Sequence, residues 1–284
     1  MIIGRQKQVE VHCWGGLGSQ LFALALIHDL EFRFPGRIFT LVLHSSGVTK
    51  RAPEIANLPF SHNFKVVDDF SQTGQSGVTS SLRKVVRRIL RKVVGGFGIV
   101  ASGDTDLEFR KIRPWVREIR GHYSRRTISN SFLLKLETFL GSELDAPFSS
   151  SADIAIHYRL GDLLNLTEKS PIKVDRIATE VIRIRKLYPG RISLFSDSPE
   201  TASKLLANMG VICDISDSSR ESLEVINLAR SASYFIGTSS KISYWIVCLR
   251  NLSNKQLKSS MPDSDEQNLS PLIGGGASKL IDYY

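Results

Sequence analysis

The sequence has little cysteine. Three stand in 284 residues, Cys13, Cys213 and Cys248, far apart and each in apolar surroundings. No C-x-x-C occurs, and the odd count indicates neither a zinc ribbon nor a disulfide framework. That usage points to a reducing, cytoplasmic compartment. Long apolar runs are missing too. None reaches 18 residues, so no membrane-spanning helix is expected. The opening MIIGRQKQVEV has no basic segment followed by an apolar one, and so does not read as a secretory signal. The G-x-G-x-x-G and Walker spacings are also absent.

What is there belongs to a soluble globular chain: 42% hydrophobic and 23% charged residues. The length allows one large domain or two ordinary ones. The formal net charge of +9 asks for an anionic partner. It is concentrated in SLRKVVRRILRKVVGG, Ser81–Gly96. Leu82, Val85, Val86, Ile89, Leu90, Val93 and Val94 form one apolar stripe at helical period, and Gly95 and Gly96 end it. Arg83, Lys84, Arg87, Arg88, Arg91 and Lys92 fill the other face, with no acid among them. Like charges at i, i+4 repel, so an ordinary surface helix mixes signs. The pattern suits a helix lying on an anionic membrane surface, with plain packing on the core as the alternative. No aromatic residue interleaves with the cations, so nucleic acid is not the expected partner.

Alternation and periodicity predict strand 8–14, helix 19–34 and strand 38–44, a βαβ opening and hence a parallel sheet. Residues 45–80 read as loop-rich, 106–122 as a strand broken by Pro114, and 129–140 as a helix. Pro147 and the serines at 149–151 mark a linker, so domains are expected at 1–150 and 151–284. The second half alternates again: strand SADIAIHYRL, helix 171–188, strand RISLFSD, helix SPETASKLLANMG, strand VICDIS, helix SRESLEVINLARSA, strand ASYFIGTS and helix KISYWIVCLR. The last 25 residues read as an irregular tail or a helix returning to the first half. The fold expected is α/β, two Rossmann-like doubly wound domains facing across a cleft.

Two kinds of place gather polar residues. One is the turn after the first strand, HCWGGLGSQLFALAL, where glycines precede a helix N-terminus. Free N–H groups and the helix dipole make such a corner receptive to an anion, although a plain tight βα turn needs the same glycines. The others lie at carboxyl ends of expected strands in the second half: His157-Tyr158-Arg159-Leu160-Gly161-Asp162, Ser196-Asp197, and Thr238-Ser239-Ser240-Lys241. An Arg there can grip a diphosphate in bidentate fashion. An Asp can accept hydrogen bonds from a nucleoside, and a hydroxyl turn leading into a helix can hold phosphate. Each also has a plainer reading: a satisfied core histidine, an Arg159–Asp162 ion pair, serines capping helices.

Four segments carry a resemblance. GGLGSQLFALAL resembles the G-G-L-G-N-Q-L-F opening of the α-1,2-fucosyltransferases, a family related to the O-fucosyltransferases. HYRLGDLL resembles their H-x-R-R-G-D. LFSDSPETASKLL is similar to F-S-D-D-P-x-W, and SYFIGTSSKISYWIVCL to N-S-S-F-S-W-W-x-A-x-L. The four stand in the family's order. The resemblance implies a GT-B-type inverting glycosyltransferase that uses a nucleotide-activated sugar, typically GDP-fucose, and needs no metal or other cofactor. It implies that Arg159 binds the diphosphate and steadies the departing nucleotide, and that His157 positions the donor. Ser196 and Asp197 would hold the nucleoside, and Thr238, Ser239, Ser240 and Lys241 the phosphate. Gly16, Gly18, Ser19 and Gln20 would face the sugar from the first domain.

The chain departs from the family at Leu160, where the second Arg stands, at Ser19, in place of Asn, and at Tyr244, in place of Trp. Lys241-Ile242 replaces a single Phe. These departures keep dTDP-rhamnose, or a non-catalytic sugar-nucleotide or glycan-binding module, as alternatives. Asp162, beside the diphosphate site, is the candidate general base. The expected acceptor is a surface polysaccharide, O-antigen-like, or a lipid-linked glycan at the inner face of the cell membrane.

Overall fold

The computed structural model describes residues 7–45, 53–58, 60, 63–68, 100–102, 115–143, 153–165, 170–216, 221–252, 257–273 and 280–284. The basic stretch 82–94 and the serine run 149–151 lie outside them. The chain divides into two units, Met1–Ser129 and Asn130–Tyr284.

In the first unit, Val9, Val11 and Cys13 alternate with Glu10, His12 and Trp14 along strand β1 (Lys7–Trp14). The first set is buried. Beside it lies helix α1 (Leu17–Arg33), which buries Leu17, Leu21, Phe22, Leu24, Leu26, Ile27 and Leu30. Burial on so much of its surface explains why the segment reads as apolar density without a polar face. Strands β2 (Arg37–His44), β3 (Asn63–Val67), β4 (Val100–Ser102) and β5 (Glu118–Arg120) complete a parallel sheet of order β3-β2-β1-β5-β4. Strand β3 falls inside the stretch expected to be loop. It is an edge strand with most of its residues exposed, so no buried alternation betrays it. Of the strand expected over 106–122, the structure describes only the three residues of β5 as extended.

The second unit begins with α2 (Asn130–Glu143). This helix was expected to close the first domain. Phe132 meets Trp245, their ring centroids 5.9 Å apart, and Glu137 pairs with Arg230 at 3.3 Å, which explains why the helix groups with the second compact unit. Strand β6 (Ile154–His157) follows, then α3 (Val174–Arg185), β7 (Ile192–Phe195), α4 (Pro199–Asn208), β8 (Asp214–Ile215), α5 (Ser222–Ser231), β9 (Tyr234–Gly237) and α6 (Lys241–Leu252). The tail, expected to be irregular or a returning helix, supplies β10 (Lys258–Met261), α7 (Glu266–Ile273) and β11 (Ile281–Tyr283) to this same sheet.

All six strands are parallel, in the order β11-β10-β9-β6-β7-β8. The chain moves outward from β6 through β7 and β8, then jumps back to place β9 on the other side of β6. This is the strand order of a doubly wound nucleotide-binding sheet, and the reversal lies between β6 and β9. The core between sheet and helices contains Ile154, Ile156, Tyr158, Leu160, Ile177, Val181, Leu194 and Ile236.

Arg250, 1% exposed, ties the entry of β9 to that of β10. Its guanidinium donates to the carbonyls of Arg230, Ala232, Ser233 and Lys258 and to Ser259 Oγ, at 2.6–3.3 Å. Burial among neutral acceptors pushes its pKa down to about 10. No helix among the described residues is long and apolar enough to cross a membrane.

Candidate functional site

Sheet pairing makes His157, Phe195 and Gly237 neighbours at the carboxyl ends of β6, β7 and β9. Three of the polar segments singled out in the sequence therefore meet at the strand reversal of the second unit. Hydrogen bonds join them. Thr238 Oγ1 donates to His157 O at 3.0 Å and accepts from Arg159 N–H at 3.1 Å. Asp197 Oδ1 accepts from the N–H groups of Leu160 and Gly161 at 2.9 and 3.0 Å. Gly161 leaves room for the Asp197 carboxylate: a Cβ there would stand 2.7 Å from Asp197 Cγ and push the carboxylate off these donors. Gly237 is as constrained, since a Cβ would meet Met261 Sδ, the Phe235 ring and, at 3.0 Å, Ser243 Cβ.

His157 is buried, and Ser243 Oγ lies 2.8 Å from its Nδ1. Ser243, fully buried, also accepts the Thr238 N–H at 3.2 Å. With that bond made, directing the Ser243 hydroxyl proton at Nδ1 satisfies both groups and puts the ring's own proton on Nε2. Desolvation pulls the His157 pKa from 6.5 down to about 4; Asp197 opposes the shift and Arg159 adds to it. The ring is thus neutral at ordinary pH. It can donate one N–H but supplies no charge to an anion.

The remaining expected residues divide by environment. Thr238 is buried and links two strands. Ser240 Oγ accepts from Ile242 N–H at 3.3 Å and caps α6, the plainer of its two readings. Ser196 Oγ accepts from Ser198 N–H at 3.1 Å within its own turn. Ser239 and Asp197 are exposed, and Arg159 and Lys241 half-buried, at the same sheet end. Lys241 opens α6, where the helix dipole disfavours a cation and favours an anion beside it. Leu160, which stands where the motif it resembles has a second Arg, is 1% exposed and packs in the core. Asp162 sits in a short 3-10 turn at Gly161–Asn165, with its side chain outside the described set. Ser243 was not singled out in the sequence. Its only signal was a hydroxyl on the otherwise apolar face of the segment SYWIVCL.

The glycine turn of the first unit is built as expected and occupied from within. Gly15 has φ +109°, a conformation that favours glycine, and a Cβ there would lie 2.8 Å from Ser19 Oγ. Gly16 precedes α1, and its carbonyl accepts from Ser19 N–H at 2.9 Å. The Leu17 N–H at the helix start donates to Glu54 Oε1 at 3.3 Å, so a carboxylate of this chain already sits at the anion-receptive corner. Gln20 is buried. Its Nε2 donates to Gly15 O at 3.2 Å, and its Oε1 accepts from Ile55 N–H at 3.2 Å. The amide expected to face a sugar is thus engaged at both ends inside the unit.

Elsewhere in the first unit, Glu10, His12 and Glu118 form the one group among the described residues whose side chains could hold a metal ion. Cys13, Cys213 and Cys248 are free thiols.

No protein-family model matches the chain, and no curated protein does. Solved structures are similar in fold. Escherichia coli heptosyltransferase WaaC with ADP is 11% identical, with 97% of this chain and 92% of that one covered at a TM-score of 0.49. NodZ, an alpha-1,6-fucosyltransferase soaked with GDP-fucose, is 13% identical over 87% and 92%, at 0.44. A UDP-N-acetylglucosamine 2-epimerase described from Listeria monocytogenes is 12% identical over 96% and 86%, at 0.48. Transferases and an epimerase stand side by side here, and likenesses this distant carry no argument about activity.

Proposed function

We propose that the chain is a glycosyltransferase whose donor is a nucleotide-diphosphate sugar, bound at the strand reversal of the second unit. The observation that carries this reading is the joining of Arg159, His157, Asp197 and Thr238–Lys241 at three adjacent strand ends, where doubly wound sheets bind nucleotides. Three of the four motifs that resemble the α-1,2-fucosyltransferases contain these same residues. As the sugar–oxygen bond breaks, negative charge builds on the diphosphate. The Arg159 guanidinium, with Lys241 at the start of α6, lies where it can neutralise that charge, so no metal is needed there. Neutral His157 donates its N–H and fixes position. Asp197 receives the nucleoside. Asp162 takes the acceptor hydroxyl's proton as the sugar inverts.

A 6-deoxyhexose is the proposed cargo, with GDP-fucose the leading donor and dTDP-rhamnose the second. The second donor gains from one observation: the Gln20 amide is buried and hydrogen-bonded to Gly15 and Ile55 of its own unit. The proposed acceptor is a surface-polysaccharide or lipid-linked glycan, with the basic stretch 82–94 docking the cytoplasmic enzyme at an anionic membrane.

Melting curves with GDP, UDP, dTDP, ADP and CMP identify the base, since a ligand of the native state raises Tm. Transfer of labelled sugar to glycan, abolished in Arg159→Ala with the fold intact, is the expected result. Transfer unchanged in that variant, or no Tm shift with any of the five nucleotides at millimolar levels, overturns the reading. Co-sedimentation with anionic vesicles, lost when Arg87, Arg88 and Arg91 become Glu, tests the docking.

A further inference from the structure

We propose that Glu10, His12 and Glu118 bind a divalent first-row transition-metal ion in the first unit. The proposal rests on that unit alone and is independent of the reaction assigned to the second. Strands β1 and β5 are neighbours at the point where the first sheet's order reverses, and their register sets Glu10 directly beside Glu118. Two like charges side by side on adjacent strands destabilise a sheet, and the Arg120 guanidinium, paired with Glu118, offsets only part of that repulsion. The side chain between them is His12, buried, with Nε2 3.5 Å from Glu10 Oε2 and 3.8 Å from Glu118 Oε2.

These spacings are close to those of a ligand set. Bonds of about 2.1 Å at tetrahedral angles hold neighbouring donor atoms about 3.4 Å apart. One donor atom from each of the three residues lies within 4.8 Å of the other two, so a side-chain closure of about 1 Å completes the site. The surroundings fit as well. His12 Nδ1 lies 2.8 Å from His44 Nε2, and donation of the Nδ1 proton to His44 leaves the Nε2 lone pair facing the carboxylates, as a metal ligand requires. His44 is held by Trp14, stacked on it at 4.4 Å. Arg120 donates to Glu118 Oε2 from Nε at 2.9 Å and from Nη2 at 2.8 Å, which fixes the carboxylate with that oxygen towards His12; an ion bound there shares Oε2 with the guanidinium or turns the carboxyl to offer its other oxygen.

One buried imidazole with two carboxylates suits Mn2+, Fe2+, Co2+ or Zn2+ better than the all-oxygen demands of Ca2+ or Mg2+. Glu10 and Glu118 are each about one-third exposed, so an ion can enter from their side and keep water in its open positions.

The test uses the full chain stripped with chelator, then titrated calorimetrically with Zn2+ and Mn2+, and with Co2+ followed by its visible absorption. One equivalent is expected to bind with a rise in Tm. Glu10→Gln and Glu118→Gln, both isosteric and partly exposed, are expected to weaken it at least about tenfold without changing the circular dichroism. His12→Gln is expected to remove the nitrogen-ligand signature from the Co2+ spectrum. No saturable binding below about 100 µM, or binding unchanged in the two Gln variants, overturns the proposal.

Discussion

Acidification is expected to destabilise the protein partly through one residue, His157. Its ring is buried and neutral, with its pKa drawn from 6.5 down to about 4, chiefly by desolvation. In the unfolded chain it titrates near the ordinary value. Between those two values the unfolded state holds a proton that the folded state refuses, so stability rises with pH across the window. It is lost as pH falls from about 6.5 towards 4, and is flat in this respect above 7. The difference corresponds to roughly 3 kcal/mol at its full extent. Urea denaturation of the wild type and of His157→Gln at pH 7, 6, 5 and 4.5 measures it. The glutamine variant carries its own constant cost, and subtracting the two curves isolates the histidine. The gap between them is expected to narrow by roughly 3 kcal/mol on going from pH 7 to 4.5 or below. Asp197→Asn, which removes the charge opposing the shift, is expected to carry the window lower still. Parallel curves for wild type and His157→Gln would refute the burial argument and, with it, the account of His157 as a neutral donor.

Two further substitutions test the supports of the site. Gly161→Ala is expected to displace the Asp197 carboxylate from its two N–H donors, lowering nucleotide affinity at least about tenfold while stability falls by only about 1–2 kcal/mol, because Asp197 is exposed. Equal affinities by calorimetry would show that Asp197 does not meet the ligand. Arg250→Lys replaces a five-bond guanidinium with a group that has three donors, leaving buried acceptors unmet. The expected loss is about 2–5 kcal/mol by urea denaturation, and a loss below about 1 kcal/mol would refute the role given to this residue.

Much of the second unit could be read in the sequence because its strands are buried on both faces and appear as short apolar runs ending in polar residues. The tail was misread for a physical reason. β10 is KSSM, polar by composition, and Ser259 and Ser260 are buried only because Arg250, Tyr234 and Glu180 supply their partners. No local pattern announces hydroxyls satisfied from distant segments. The same holds for α2, whose attachment depends on Trp245 more than a hundred residues later. At the site, the strand-end segments were legible as clusters, but the division of labour within them was not. Thr238 and Ser240 read as phosphate ligands from a hydroxyl turn leading into a helix, with capping the other reading of Ser240, and the bonds they make to backbone are visible only in three dimensions. Gln20 likewise looked outward in the sequence and is turned inward by Ile55.

Among the described residues, every strand of one sheet precedes residue 121 and every strand of the other follows residue 153. Among these residues the polypeptide therefore passes from the first sheet to the second once. A cut or a fusion junction just before α2 leaves each ladder of pairings whole, and each sheet is written in one contiguous stretch of gene.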